Sequence, residues 1–246
     1  MPMLLAVIAL FAVGSLLQWI FPLGQAGAYH HFADTRTWLG IPNAADVLSN
    51  VPIFLAGLAT LGWVFGHRSG GGRLRAGLLV AGIGLAFTGI GSGYYHWAPN
   101  DATLVWDRLP LAVVFAGVLL TAWSCAAEAP PRPHEVALLV VASLGSVAFW
   151  VWLGSLWPYA ILQYGGLAAL LWLAVRGRLA GLAGWWCVIA LYALAKVFEL
   201  LDQAVWNWTG QVISGHTLKH LMSAAAGFAF LWIAAAAGGE AEGLRR

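Results

Sequence analysis

Three histidines, an aspartate and a serine are the residues of this 246-residue chain whose types and spacing can do chemistry. His216 and His220 are four apart, so on a helix they share one face, a turn above each other, and two imidazoles can reach one metal ion. Far from them in sequence, His96 has Ser92 four residues before it and Asp107 eleven after it. Three neutral imidazoles plus a water form the tetrahedral arrangement of a catalytic zinc site with an open position. Beside such a site a carboxylate can carry a proton, and a hydroxyl can orient water or stabilise an oxyanion.

The elements that must position these residues are membrane helices. Hydrophobic residues make up 61% of the chain and charged residues 9%, against about 25% charged in soluble domains, so the chain cannot cover a water-facing surface. Nucleic-acid binding is excluded by a net charge of +2 with no basic run. Two cysteines exclude a disulfide scaffold, and Cys125 and Cys187 read as apolar packing residues. With about 20 apolar residues per span, the expected spans are Met3–Phe21, Asp46–Phe65, Arg75–Trp97, Thr103–Cys125, Glu135–Trp152, Tyr159–Val175, Leu182–Ala204 and Gly215–Ala237. Prolines between Ala129 and His134, and charges at Arg176 and Arg178, mark breaks. Ala26-Gly27-Ala28 resembles a signal-peptide cleavage site, but the start lacks positive charge and the apolar stretch is too long, so the first span is expected to be retained.

Arginine and lysine set the expected orientation. Arg68, Arg73, Arg75, Arg132, Arg176, Arg178, Arg245 and Arg246 fall on one side and Arg36 on the other, which predicts both termini in the cytoplasm. Arg108, Lys196 and Lys219 lie within spans. On that topology His96, Asp107, His216 and His220 all reach the outer ends of their helices, although the histidines play no part in choosing it. Ionisable groups in a bilayer cost about 2.5–3.5 kcal/mol on insertion scales and ask for a reason. Each histidine alone has a plainer reading as a hydrogen-bonded interface residue; three at one depth favour a metal site. Ten arginines to two lysines hint at a GC-rich bacterial genome, hence an inner membrane with the site facing the periplasm.

The segments Gly91-Ser92-Gly93-Tyr94-Tyr95-His96, Asp107-Arg108-Leu109-Pro110 and His216-Thr217-Leu218-Lys219-His220, with Asp46-Val47-Leu48-Ser49-Asn50 before them, occur in an order that resembles the alkaline ceramidase family, within the wider group that includes adiponectin-type receptors. The resemblance covers about residues 29–237. It implies a seven-helix ceramidase-like core at 29–237, an additional transmembrane helix within 1–28 and a cytoplasmic tail at 238–246. It also implies a zinc-dependent hydrolase of the N-acyl amide of ceramide or a similar lipid, with His96, His216 and His220 as zinc ligands and Asp107 and Ser92 as catalytic residues. The chain departs from the family at Arg108, where glutamate is common. The calcium site of eukaryotic members is not carried over, because only Asp34, Asn43 and Asp46 stand where several acidic residues would be needed.

Lys196, Glu199 and Asp202, three residues apart, form a stripe on the seventh span. A structural ion network is the first reading; the alternative has Asp202 or Glu199 orienting a metal-bound imidazole. Lys219 is expected to pair with Asp202 or to snorkel to the headgroups. Ser49 and Asn50 either stabilise the start of their helix or line the site. Membrane lipids and a lipid amide are the expected partners, with no protein partner implied. Two rival functions remain: a metal-binding receptor of the adiponectin type, and a haem-binding electron carrier with His96 and His216 as axial ligands.

Overall fold

The computed structural model describes residues 2–66 and 72–243, so Arg68, Gly71, Arg245 and Arg246 lie outside the described residues. Among the described residues eight helical segments are long and apolar enough to cross a membrane. The protein is an all-α, multi-pass membrane protein. In chain order its helices are α1 (Pro2–Ile20), α2 (Ala44–Leu48), α3 (Val51–Gly66), α4 (Arg75–Trp97), α5 (Asp101–Ala127), α6 (Pro133–Leu153), α7 (Trp157–Ala160), α8 (Gly166–Val175), α9 (Leu182–Leu200), α10 (Asp202–Trp208) and α11 (Gly215–Gly243).

Three expected spans are not continuous α-helices. The second breaks into α2 and α3 at Ser49 and Asn50, whose side chains both donate to the Asp46 carbonyl, at 3.1 and 2.7 Å. The sixth passes from α7 to α8 through a π turn, Ile161–Gly165. The seventh ends at Leu200, and α10 restarts it after Leu201, whose φ of −98° and ψ of 19° interrupt the helix. That restart takes Asp202 off the stripe it would share with Lys196 and Glu199 on an unbroken helix.

Packing contacts run α5–α4–α3–α11–α9–α8 and back to α5, which makes a ring of helices around a central cavity. Helix α6 lies outside the ring against α5, and α1 lies against α6 and α7. There Phe11 stacks near Phe149 at 5.9 Å, and the Trp157 indole donates to the Phe21 carbonyl at 2.7 Å.

The α4–α5 contact sets the position of the site. With no hydrophobic drive between helices in lipid, close approach depends on small residues. Gly77, Gly84 and Gly91, seven apart, line the α4 side. A Cβ on Gly84 would stand 2.6 Å from the Val114 nitrogen, and one on Gly91 would collide with the Trp106 carbonyl oxygen. Pro110 explains that oxygen: proline has no N–H to give to the carbonyl four residues earlier, which is that of Trp106. The freed carbonyl faces the Cα of Gly91, a weak C–H···O geometry. Close contact at Gly91 brings the next residue, Ser92, against the next residue of α5, Asp107. The turn between the helices is short because Asn100 and Thr103 form a reciprocal capping box.

Candidate metal centre

His96 ends α4, and His216 and His220 open α11, all three buried at one end of the ring. Their ligand nitrogens lie within 4.8 Å of one another. The Nε2 atoms of His96 and His216 are 3.3 Å apart. Two nitrogens on one tetrahedral zinc, each 2.0–2.1 Å from the ion, would stand about 3.3–3.4 Å apart, so the spacing fits that ion. His220 Nε2 is buried without a hydrogen-bond partner, an expensive state for a ring nitrogen unless something else takes its lone pair. On both counts the donor set fits a divalent metal with nitrogen ligands: the protein carries a three-histidine site able to coordinate a metal ion.

Of the three imidazoles, His220 has an outer partner on its ring, whereas His96 Nδ1 is buried without one. Ser49 Oγ donates to the Asp46 carbonyl, so it accepts from His220 Nδ1, 2.8 Å away. That bond puts the ring proton on Nδ1 and leaves Nε2 free to ligate. The Asp202 carboxylate accepts the backbone N–H of His216 at 2.8 Å and that of Ala33 at 2.9 Å. Asp202 therefore holds the start of α11, and it reaches no imidazole. Glu199 also bonds no histidine: it pairs with Lys196 and, at 2.8 Å, with Lys219. Lys219 thus meets Glu199 where Asp202 or the headgroups were expected, and its Nζ lies 3.4 Å from His216 Nε2. Asn50 stays at the α2–α3 join, one residue from the Ser49–His220 bond.

Ser92 is buried, and its hydroxyl is placed to hydrogen-bond the Asp107 carboxylate. Both line the central cavity together with His220 and Lys219. The cavity has a volume of about 140 Å³, and most of its wall is apolar, with Leu85, Leu111, Val114, Leu167 and Phe230 typical of it. Partway down, Gln163, carried inward by the π turn, donates to the Tyr192 hydroxyl.

The loop before α2 closes the end of the ring at the histidines. Phe32 lies with its ring centroid 4.6 Å from those of both His96 and His216. Asn43 donates to the His96 carbonyl at 2.8 Å. Asp34 holds Arg36 through two bonds of 2.8 and 2.6 Å, and these raise the arginine's pKa still further. Arg36 in turn donates to the Gln211 and Val212 carbonyls just before α11. Asp46 accepts from Thr217 at 2.7 Å. Asp34, Asn43 and Asp46 thus face three separate partners, and the second carboxylate oxygen of Asp46 is buried without one. Arg108, on the face of α5 away from the cavity, donates to Gln25 and stacks 4.4 Å from the Trp150 ring centroid.

Several contacts had no signal in the sequence. His30 bridges the Tyr95 hydroxyl (2.9 Å) and Asp101 (3.1 Å) beside the site, yet it sits in a loop where no helical spacing links it to them. Phe32 was equally silent. Tyr95 has only its place before His96 to mark it.

Comparison with models of protein families and with curated proteins finds no match to the chain. The three-histidine site and the eight spans therefore stand on the geometry alone.

Proposed function

We propose that the protein is a zinc-dependent intramembrane amidase that hydrolyses the N-acyl bond of ceramide or a similar N-acylated lipid to a fatty acid and an amine. The observation that carries this reading is the cavity: Ser92, Asp107, His220 and Lys219 gather at its head, and an apolar wall runs from Ser92 along α4 to Ala81, about 16 Å at 1.5 Å per residue. A chain lying there puts its carbonyl among the polar groups. His96, His216 and His220 would hold the metal, which supplies a more acidic water and a polarised carbonyl. Asp107 takes the proton of the attacking water and returns it to the leaving nitrogen. Ser92 holds the Asp107 carboxylate in place and orients the water. Phe32 and the loop tied down by Arg36 keep bulk water from the histidines.

The opposite end of the bundle carries Arg75 and Arg178, which bond the carbonyls of Val64 and Ala126 at the far ends of α3 and α5. By the positive-inside rule that end faces the cytoplasm and the metal centre the outer side. The haem reading is disfavoured because the Nε2 atoms of His96 and His216, 3.3 Å apart, leave no room for a porphyrin plane between them. Purified protein given a defined ceramide and a panel of other N-acyl lipids is expected to release free fatty acid with zinc bound and to stop on chelation. A metal-loaded protein that releases none from any of them points instead to the receptor reading.

A further inference from the structure

Lys219 is one of two lysines gathered on Glu199, and its charge also balances that of Asp107. Glu199 already has a lysine, Lys196, on one carboxylate oxygen; Lys219 adds a second ammonium on the other. Two lysines on one carboxylate leave a net positive charge, and of the two lysines only Lys219 lines the cavity, beside Ser92, Asp107 and His220. An ammonium has three donors. The ammonium stands 2.8 Å from Glu199 as an ion pair, and one donor points at His216 Nε2 over 3.4 Å. The rest of its surroundings are the head of an apolar cavity, where a charge is poorly solvated and a charge-assisted bond to an anion is at its strongest.

We propose that Lys219 is an anion-binding residue that holds the negative oxygen of an acyl headgroup: the oxyanion formed during hydrolysis and then the carboxylate of the single-chain fatty acid. The oxyanion half rests on the amidase reading above; the carboxylate half does not. Charge balance supports it. With Lys196, Lys219, Glu199 and Asp107 all ionised, the four groups sum to zero. When water adds to the carbonyl carbon, its proton goes to Asp107 and the carbonyl π pair moves onto oxygen. The four groups then carry one positive charge just as the substrate oxygen takes one negative. On collapse the C–N bond breaks, nitrogen takes the Asp107 proton, and the acid's own proton passes to the amine. The products are a carboxylate and an ammonium, and Lys219 is left facing the carboxylate. Glu199 and Lys196 are positioning residues that keep the Lys219 ammonium turned to the cavity.

The test is equilibrium binding of radiolabelled dodecylphosphonate and dodecanol to the full chain in nanodiscs, counted against empty nanodiscs, with metal content measured for each variant. Wild type is expected to bind the anion at least about tenfold more tightly than the alcohol, the scale of one charge-assisted hydrogen bond. Lys219→Arg keeps that preference, and Lys219→Gln and Lys219→Met lose it. Dodecanol affinity, equal in all four, reports an intact cavity. A His216→Ala/His220→Ala variant, without the metal site, keeps a preference because Lys219 remains. The proposal is overturned if wild type shows no preference, if the neutral variants keep it, or if it follows metal content. A chain that shows the preference yet hydrolyses no lipid amide removes the amidase reading and leaves the anion site standing.

Discussion

At the scale of single residues, the centre depends on which nitrogen of each imidazole is free. His220 is the clearest case, because Ser49 accepts a hydrogen bond from its Nδ1–H and leaves Nε2 bare and buried. Elemental analysis of purified protein is expected to find about one zinc per chain, lost in His216→Ala/His220→Ala. Full zinc in that double variant removes the site. Ser49→Ala should keep all three ligands yet weaken metal affinity about 10–100-fold, as loss of an outer partner to a ligating histidine does; chelator competition measures it, and unchanged affinity would make the bond incidental. Asp107→Asn keeps its shape and its contact with Ser92 but cannot take a proton. It should stay metal-loaded and lose about 10²–10⁴-fold in turnover; near-normal turnover places the base elsewhere.

At the scale of elements, the decisive contact is backbone on backbone. Gly91 against the carbonyl freed by Pro110 brings α4 and α5 close enough for Ser92 to meet Asp107. Gly91→Ala puts a methyl into that carbonyl, and overpacking of this kind costs about 1–3 kcal/mol. The expected outcome is a lower melting temperature with activity falling further than zinc content, because the histidines sit on α4 and α11 and the separation opens between α4 and α5. Equal loss of zinc and activity would show that the contact supports the whole site. Much of this level was legible in the sequence: α4 begins and ends where hydropathy and the Arg75 and Trp97 flanks place it, and the four-residue spacings put His216 with His220 and Ser92 with His96. The breaks at Ser49 and Leu201 were not, since apolar periodicity reports which residues avoid water and says nothing of a side chain that leaves its helix to bond a distant backbone. Asp202 is such a side chain: its partners, Ala33 and His216, are 169 and 14 residues away. The cavity was equally hidden, because a residue facing an internal space and one facing lipid are alike apolar.

At the scale of the whole molecule, the site lies at one end of the ring, and Arg75 and Arg178 lie at the other. In a background free of Cys125 and Cys187, a cysteine in place of Ala102, exposed in the first turn of α5, should react with a membrane-impermeant thiol reagent in intact cells. One in place of Ala129, exposed between α5 and α6, should react only after the membrane is opened. The reverse pattern inverts the protein and turns the site to the cytoplasm.

The tie between the loop before α2 and the start of α11 bears on how the protein is made. Phe32, Arg36, Asp46 and Ser49 are synthesised early, and each waits for a partner in or beside the last of the described spans. Until α11 is threaded into the bilayer, His96 stands alone at the end of α4, the Ser49 hydroxyl has no ring to hold, and the loop before α2 has nothing to close upon. A ribosome stalled before Ser214 therefore releases a chain with most of its spans inserted and no place for a metal. Metal retention becomes a readout of completed insertion, and a cell that trims metal-free chains would clear unfinished copies without any dedicated sensor.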